Sequence, residues 1–428
     1  MTKDNGRLAI VDGVRTPFTR FGTDLAALTA VDLGRIAVSA LLARTGLDPA
    51  AIDEVILGCV GQPADAANIA RVVALQAGIP RHVPAVTVHR NCASGMESIT
   101  QAYERMVSGS GEVFVVGGTE SMSQIPLLYR PSAVRKFTRL QRAKTFGQRL
   151  SALLSFRPSD FSPLVGLQLG LTDPVSGLNM GQTAEVLARE WRISREEQDR
   201  FSLRSHLRAA AARKKLAEEI CPVHLPPKFD KVVDRDNGVR EGQTLEALAK
   251  LKPVFDRRYG TVTAGNSSQI TDGAVALLVM SERRAAELGY EPLGFLTGYA
   301  YSGCDPKRMG LGPVHAIAKA ERRLGLTPAD ADVIEINEAF AAQVLAVLKA
   351  LESAEYARKL GRDEPFGPID EEKLNVNGGA VALGHPVGSS GARLVLTALK
   401  ELQRRGGRRA LATLCVGGGQ GAALWLER

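Results

Sequence analysis

The chain has 428 residues, 45% hydrophobic and 23% charged, which is ordinary for a globular protein of two or three domains. Its five cysteines are scattered and form no Cys-x-x-Cys pair, which argues against a disulfide framework and a metal site. The net charge of +8 suits solubility or a polyanionic partner, but aromatic residues are only 5% and do not alternate with cations, so nucleic acid is disfavoured. Because no signal peptide or membrane-spanning run is apparent, we expect a cytoplasmic protein.

Short apolar runs alternate along the chain with longer amphipathic ones. Strands are predicted, in chain order, at residues 8–11, 54–60, 113–117, 274–280, 333–336 and 410–416. Helices are predicted at residues 31–45, 95–107, 183–213, 314–324 and 392–405. This order predicts an α/β fold with buried, largely parallel sheets.

Two features of the first half recur in the second half, in the same order. A turn with proline at residues 46–50 leads into a strand, and so does the segment 325–329. Ser94-Gly95 opens a helix that leads to a strand closed by two glycines, as Ser390-Gly391 does. These matches indicate a duplicated fold.

Residues 123–253 interrupt the repeat, with few strand signals, proline-rich pieces and a basic stretch. We predict an inserted loop domain there. The N-terminal half is then residues 1–122 with 254–285, and the C-terminal half is residues 286–428. Long insertions of this kind commonly carry substrate contacts.

Cys92 stands just before a predicted helix, in the segment NCASG. The positive end of a helix dipole favours the nucleophilic thiolate, although a buried structural cysteine is an equal alternative.

His385 lies in a glycine-rich segment, GHPVGSSG. A histidine there can serve as a general base near neutral pH, or it can simply be a loop residue.

Cys415 ends a predicted strand and precedes the glycine-rich turn VGGGQG. Glycines free backbone N–H groups to bind an oxyanion, and the G-x-G-x-x-G spacing of a dinucleotide loop is absent, but a buried strand cysteine is the alternative. Asn337 and Glu338 follow another strand, where active sites of parallel sheets collect. Asn337 can orient a water or bind a carbonyl oxygen, and Glu338 can act as a helix N-terminal acid.

Taken together, five ordered segments resemble the signature set of the thiolase family: NCASG, GNSS with DGA, NEAFA, GHPVGSSG and CVGGGQG. The resemblance covers nearly the whole chain. It implies the thiolase fold, two duplicated αβα halves forming a five-layered αβαβα core with an inserted loop domain. It also implies an acetyl-CoA C-acyltransferase that cleaves 3-oxoacyl-CoA with CoA. CoA thioesters are then the substrates, and no separate cofactor or metal is needed.

The resemblance also implies roles for individual residues. Cys92 accepts the acyl group, and His385 activates Cys92 and helps to hold the thioester oxygen of the enolate. Asn337 holds a water in that same oxyanion hole, and Cys415 passes the proton to and from the acetyl-CoA carbon. The N–H groups of Cys92 and Gly417 form a second hole for the tetrahedral intermediate. The implied substrate contacts are Ser268 and Met180.

Two features of the sequence resemble different members of the family. The segments 180–185, 244–253 and 349–368 resemble the β-subunits of fatty-acid β-oxidation trifunctional complexes, which implies longer substrates and a hydratase/dehydrogenase α-subunit as partner. Those subunits tend to carry histidine where this chain has Asn337, the residue of most other thiolases, including the acetoacetyl-CoA enzymes. An acetoacetyl-CoA thiolase working in the condensing direction and a scaffold subunit therefore stay open. We expect a homodimer or tetramer.

Residues 127–160 carry eight cations and one acid, with apolar residues near helical spacing. The pattern predicts a pair of basic amphipathic helices. Their apolar face can pack on the protein's own body, on a partner subunit or on an anionic membrane surface, and the sequence leaves all three open.

Overall fold

A computed structural model describes residues 6–428 of the chain. The strands are β1 (Leu8–Arg15), β2 (Thr19–Arg20), β3 (Glu54–Gly58), β4 (Ala85–Val88), β5 (Val113–Ser121), β6 (Leu127–Leu128), β7 (Leu164–Val165), β8 (Val223–His224), β9 (Val232–Val233), β10 (Thr271–Ser281), β11 (Gly294–Gly303), β12 (Val333–Ile336), β13 (Arg409–Val416) and β14 (Gln420–Glu427). The helices are α1 (Ala30–Thr45), α2 (Ile69–Gln76), α3 (Ser94–Ser108), α4 (Pro131–Arg142), α5 (Phe146–Leu154), α6 (Gly166–Gly170), α7 (Met180–Glu190), α8 (Arg195–Ala211), α9 (Arg213–Ala217), α10 (Leu245–Ala249), α11 (Glu282–Glu287), α12 (Gly312–Leu324), α13 (Ala341–Glu352), α14 (Ala354–Lys359), α15 (Ala380–Leu383) and α16 (Val387–Arg405).

The two halves of the large sheet repeat one arrangement, which confirms the predicted duplication. In the first half β1, β10, β5 and β3 are neighbours in that order, and in the second half β11, β14, β13 and β12 are. Each series has two antiparallel pairings followed by a parallel one. The prediction of largely parallel sheets is therefore wrong. The antiparallel strand β10 is buried along its whole length, so it reads as the continuous apolar run that is typical of a parallel strand.

Side chains on the two faces of the strands separate the fold into five layers. Leu277 and Val279 of β10 face a central cluster with α3 and α16, while Ala276 and Leu278 face α1 and α2. In the second half, the outer faces of β13 and β14 pack against α12 and α13. The layers are thus helices, sheet, central helices, sheet and helices, as the family resemblance implied.

The central helices α3 and α16 cross at two glycines. A Cβ atom added to Gly95 would lie 2.6 Å from the backbone nitrogen of Ala392, and one added to Gly391 would lie 2.7 Å from that of Met96. These are the two glycines that the sequence repeat paired. Since Cys92 stands just before α3 and His385 just before α16, the crossing brings both residues to the same region.

We expect Gly95→Ala to lower the free energy of unfolding by about 1–3 kcal/mol, because the added methyl group must push two packed backbones apart. The matched control is Gly147→Ala in α5, where a new Cβ meets nothing within 4 Å. Chemical denaturation of both variants is the measurement. A Gly95→Ala protein as stable as the Gly147→Ala protein would contradict the close crossing.

The single helix predicted over residues 183–213 is wrong, because the structure has α7 and α8 there. The chain turns between them at Arg192, whose φ is 49°. Ser194 then starts α8 with a capping box, in which its side chain accepts from the backbone of Glu197 and the Glu197 side chain accepts from the backbone of Ser194. The sequence pattern did not show where α8 begins, because serine and glutamate also occur inside helices.

Residues Ile125–Thr172 form a compact unit of their own, here called the inserted unit, and residues 6–124 with Asp173–Arg428 form the larger unit. The inserted unit contains α4, α5 and α6 and the strand pair β6 and β7, so the predicted basic helix pair is present. Phe137 is the centre of its aromatic cluster, within 6.4 Å of the rings of Tyr129, Phe156 and Phe161. This unit is shorter than the predicted insertion 123–253.

Candidate active site

Cys92 lies in a tight turn that leads directly into α3. Asn91 adopts a positive φ of 43°, and its carbonyl accepts hydrogen bonds from the backbone and the hydroxyl of Ser94. Burial raises the pKa of the Cys92 thiol, while hydrogen bonds from the N–H groups of Gly417 and Cys92 itself oppose the rise and the Glu120 carboxylate adds to it. Burial thus outweighs the favourable helix start in the free protein, and the thiolate has to form by proton transfer to a base.

The glycine turn after β13 lies directly against Cys92. Its Gly417 N–H points at the Cys92 sulfur, and its Gly417 carbonyl accepts from Asn91 Nδ2 at 2.8 Å. Cys415 is buried at the end of β13, and burial raises the pKa of its thiol, with further contributions from the neighbouring Cys92 and Cys304. Met180, at the start of α7, packs on Cys415, and its sulfur lies 3.4 Å from the place of a Gly417 Cβ.

His385 is buried and held in one orientation. Ser390 Oγ donates to the Pro386 carbonyl at 3.0 Å, so it accepts the Nδ1–H of His385 at 2.6 Å. The other nitrogen, Nε2, then carries the lone pair and lies 3.4 Å from Asn337 Nδ2. Burial, with a smaller effect of the Arg393 guanidinium, lowers the pKa of His385 to about 3. The imidazole is therefore neutral at physiological pH and able to accept a proton at Nε2.

Ser268 lies beside these residues in the loop that precedes β10. Its backbone N–H donates to the Ala339 carbonyl at 2.9 Å, two residues beyond Asn337. The next residue, Gln269, accepts from the backbone N–H of His385 at 3.1 Å. The loop of Ser268 therefore joins the segments that carry Asn337 and His385, and the Ser268 side chain is partly exposed.

Several residues that position the site were not recognised from the sequence. Asn91 Nδ2 donates a hydrogen bond to the Gly417 carbonyl in the glycine turn, and Ser390 Oγ fixes the tautomer of His385. Glu338 is not an N-terminal acid of α13, the helix that follows it, as we predicted, because that helix begins only at Ala341. Its carboxylate accepts instead from Ser205 Oγ at 2.6 Å and from the Val381 N–H of α15 at 3.1 Å. Only the position of Asn91 next to Cys92 offered a signal, since asparagine tolerates a positive φ.

Within residues 6–428 no cluster of three or more histidine, cysteine or acidic side chains is arranged to hold a metal ion. Among the helices of the same residues, none combines the length and the apolar character that crossing a bilayer requires.

The whole chain is similar to proteins of known family. The thiolase N-terminal domain family matches residues 8–283, and the thiolase C-terminal domain family matches residues 290–428. A 3-ketoacyl-CoA thiolase of Aeromonas salmonicida is 43% identical over 430 residues, which cover 100% of this chain and 98% of that protein.

Two solved structures are also similar. A Bacillus anthracis acetyl-CoA acetyltransferase has a TM-score of 0.85 and 38% identity, over 99% of this chain and 98% of that one. Human mitochondrial 3-ketoacyl-CoA thiolase in complex with CoA has a TM-score of 0.84 and 38% identity, over the same shares. Both family matches and the full-length relative show that this chain belongs to the thiolase family.

Proposed function

We propose that the chain is a 3-ketoacyl-CoA thiolase, which cleaves 3-oxoacyl-CoA with CoA into acetyl-CoA and a shortened acyl-CoA. The observation that carries the proposal is a pair of neighbouring thiols at one glycine turn, with a neutral histidine just before the central helix that crosses α3. Cys92 has the Gly417 N–H at its sulfur and Cys415 as a neighbour, and His385 presents Nε2 toward Asn337. The full-length relatives named 3-ketoacyl-CoA thiolase support the same reaction.

Each step of this reaction has a group to perform it. His385 Nε2 takes the proton of Cys92, and the thiolate attacks the 3-oxo carbon, whose oxygen is held by the N–H groups of Cys92 and Gly417. The C2–C3 bond then breaks, leaving the acyl group on Cys92 and an enolate of acetyl-CoA. The enolate oxygen is held by His385 and by a water on Asn337, while Cys415 protonates C2. The thiol of CoA finally gives its proton to the Cys415 thiolate and takes the acyl group from Cys92, whose departing thiolate recovers its proton from His385.

The surroundings of Cys415 favour a substrate with an apolar acyl chain. Met180, Phe255, Met309 and Phe340 form an apolar cluster with Cys415, and the rings of Phe255 and Phe340 are 6.0 Å apart. We therefore propose a degradative role on medium or long chains, as in fatty-acid β-oxidation. Because Asn337 resembles the residue of acetoacetyl-CoA enzymes, condensation of acetyl-CoA is the alternative.

A series of thiolysis rates decides between them. Each buried methylene contributes about 0.8 kcal/mol, or roughly fourfold in kcat/KM, so 3-oxodecanoyl-CoA should exceed acetoacetyl-CoA by at least about tenfold. The same protein assayed with acetyl-CoA alone is the control for condensation. A rate that is highest on acetoacetyl-CoA and negligible beyond six carbons would favour the alternative.

We also propose that two copies of the chain associate through β4. This strand is the last in the sheet order, and its four residues are all half-buried. An edge strand with open hydrogen-bonding groups is a ready place for a second chain to pair. Sedimentation of the purified protein measures whether it is a monomer, a dimer or a tetramer.

The free state of all five cysteines supports a reducing compartment such as the cytoplasm.

The inserted unit presents an apolar surface with cations around it, which favours an anionic membrane as its partner. Phe146 and Leu154 are 81% and 77% exposed, and Arg135, Arg139 and Arg142 are exposed on α4. The one acid of the unit, Asp160, is paired with Lys136 at 2.5 Å. We propose that this surface rests on anionic lipid headgroups, with the apolar side chains inserted between them.

Vesicle co-sedimentation tests the membrane proposal. Each cation near an anionic surface contributes about 1 kcal/mol, so reversing Arg135, Arg139 and Arg142 to glutamate should lower binding to phosphatidylglycerol vesicles by at least about 100-fold. Lys136 is left in place to keep its pair with Asp160. High salt should weaken the wild-type binding, and neutral vesicles are the control. Binding of a purified hydratase/dehydrogenase subunit without vesicle binding would assign the surface to a partner protein.

A further inference from the structure

The backbone around His385 is held on both sides by buried carboxylates. Before the histidine, Glu338 accepts a hydrogen bond from the Val381 N–H at 3.1 Å. After it, Glu120 accepts from the Gly388 N–H at 2.9 Å. Both glutamates are at most 1% exposed. The ring nitrogens of His385 are hydrogen-bonded to Asn337 and Ser390, so these two carboxylates contact the backbone on either side of the histidine and not its imidazole.

Each carboxylate is packed tightly against this backbone. A Cβ atom added to Gly379 would lie 2.3 Å from the Glu338 carboxyl carbon, and one added to Gly388 would lie 2.7 Å from Glu120 Oε2. A side chain at either position would displace the carboxylate. Gly379 and Gly388 therefore leave the space that the buried carboxylates of Glu338 and Glu120 occupy on the two sides of His385.

Each carboxylate also accepts hydrogen bonds from a different part of the fold. Glu338 accepts from Ser205 Oγ of α8 at 2.6 Å and from Asn375 Nδ2 at 2.8 Å. Glu120, in β5, accepts from the N–H groups of Val60 at 3.0 Å and Gly61 at 2.7 Å. Burying an acid is costly unless its oxygens are hydrogen-bonded, and here both oxygens of each acid are. The two acids thereby tie the His385 segment to α8, to β5 and to the loop after β3.

We propose that Glu338 and Glu120 are positioning residues, which hold the backbone on both sides of His385 and keep Nε2 in place to take the proton of Cys92. The inference rests on the proposed role of His385 as the base. A displacement of about 1 Å in a catalytic group can cost on the order of 100-fold in rate, so two anchors on one short segment matter for catalysis.

Glutamine substitutions test the two anchors. An amide keeps one acceptor and replaces the other oxygen with a donor, so Glu120→Gln must lose its bond to Gly61 or those to Val60 and Gly388. We expect kcat of Glu338→Gln and of Glu120→Gln to fall by about 100-fold, with KM for CoA changed by less than about threefold. The control is Glu219→Gln, an equally buried glutamate that binds Arg15 and Thr397, and it should keep its kcat within about threefold.

The rate of Cys92 alkylation by iodoacetamide separates a positioning role from a structural one. Glu338→Gln should slow alkylation by about tenfold in the wild-type background, and should have no further effect in a His385→Ala background. Because the Glu120 carboxylate itself raises the pKa of the Cys92 thiol, Glu120→Gln is judged by its kcat instead. Equal slowing in both backgrounds would overturn the proposal, as would an unchanged kcat in a folded variant. If a glutamine variant fails to fold, Ser205→Ala removes one bond to Glu338 more gently. This comparison of alkylation rates in the two backgrounds depends only on His385 and Cys92. It can therefore be interpreted even if no acyl-enzyme forms on 3-oxoacyl-CoA and the proposed function is wrong.

Discussion

Serine in place of Cys92 should abolish thiolysis, with kcat reduced by at least about 10⁴-fold. The neutral His385 has a pKa lowered by burial to about 3, so it is a weak base. It can deprotonate a thiol in the presence of the two N–H groups at the sulfur far more readily than a hydroxyl, which is a much weaker acid. In the wild-type protein, incubation with acyl-CoA should add one acyl mass to the peptide that contains Cys92, as peptide mass spectrometry can show.

The matched control is Cys221→Ser. Cys221 is also buried, and its sulfur contacts the Arg15 carbonyl at 3.3 Å, away from the glycine turn. This variant should keep its thiolase activity and its acylation. Normal turnover by Cys92→Ser, or an acyl label on another cysteine, would contradict the assignment of Cys92 as nucleophile.

Replacing Cys415 by alanine should separate the two halves of the reaction. Burial and the neighbouring Cys92 raise the pKa of the Cys415 thiol, so it stays protonated and can give its proton to carbon. Loss of this acid should lower cleavage of 3-oxoacyl-CoA by about 10²–10⁴-fold. Transfer of an acyl group from a simple acyl-CoA onto Cys92 should persist, because that step needs His385 and the N–H groups but no carbon acid.

Cleavage is followed by the loss of the 3-oxoacyl-CoA absorbance, and acyl transfer by the mass of the protein. Cys304→Ala is the control, since Cys304 is a neighbouring thiol of Cys415 but is only partly buried and carries no role in the proposed chemistry. Equal loss of cleavage and acyl transfer in Cys415→Ala would indicate that Cys415 supports the structure and is not the acid.

The repeat in the sequence predicted the duplication correctly because turns and glycine contacts are local features. The pairing of Gly95 with Gly391 could be found from their neighbours alone, and the structure shows why both are glycine. Strand direction could not be found in the same way. The antiparallel β10 is covered on both faces, and burial erases the alternation of polar and apolar residues that distinguishes such strands.

The proposed nucleophile, base and acid could be predicted from short motifs, whereas the residues that support them depend on contacts over long distances in the sequence. Glu120 holds Gly388 across 268 residues, and Ser205 holds Glu338 across 133. A lone glutamate in an apolar strand gives no sign of which backbone groups it will bind. The direction of the pKa shift at Cys92 likewise depends on burial, which the position of a helix start does not reveal.

The reciprocal contacts of Gly95 and Gly391 amount to a local twofold axis through the middle of one chain. Counting back from these glycines, Cys92 corresponds to Gly388, and His385 corresponds to His89, which is exposed. A symmetric crossing thus carries one asymmetric site, because Cys92 comes from the first half and His385 from the second. One polypeptide accordingly has room for one acyl group at a time, and an isolated half would hold either the nucleophile or the base, but not both.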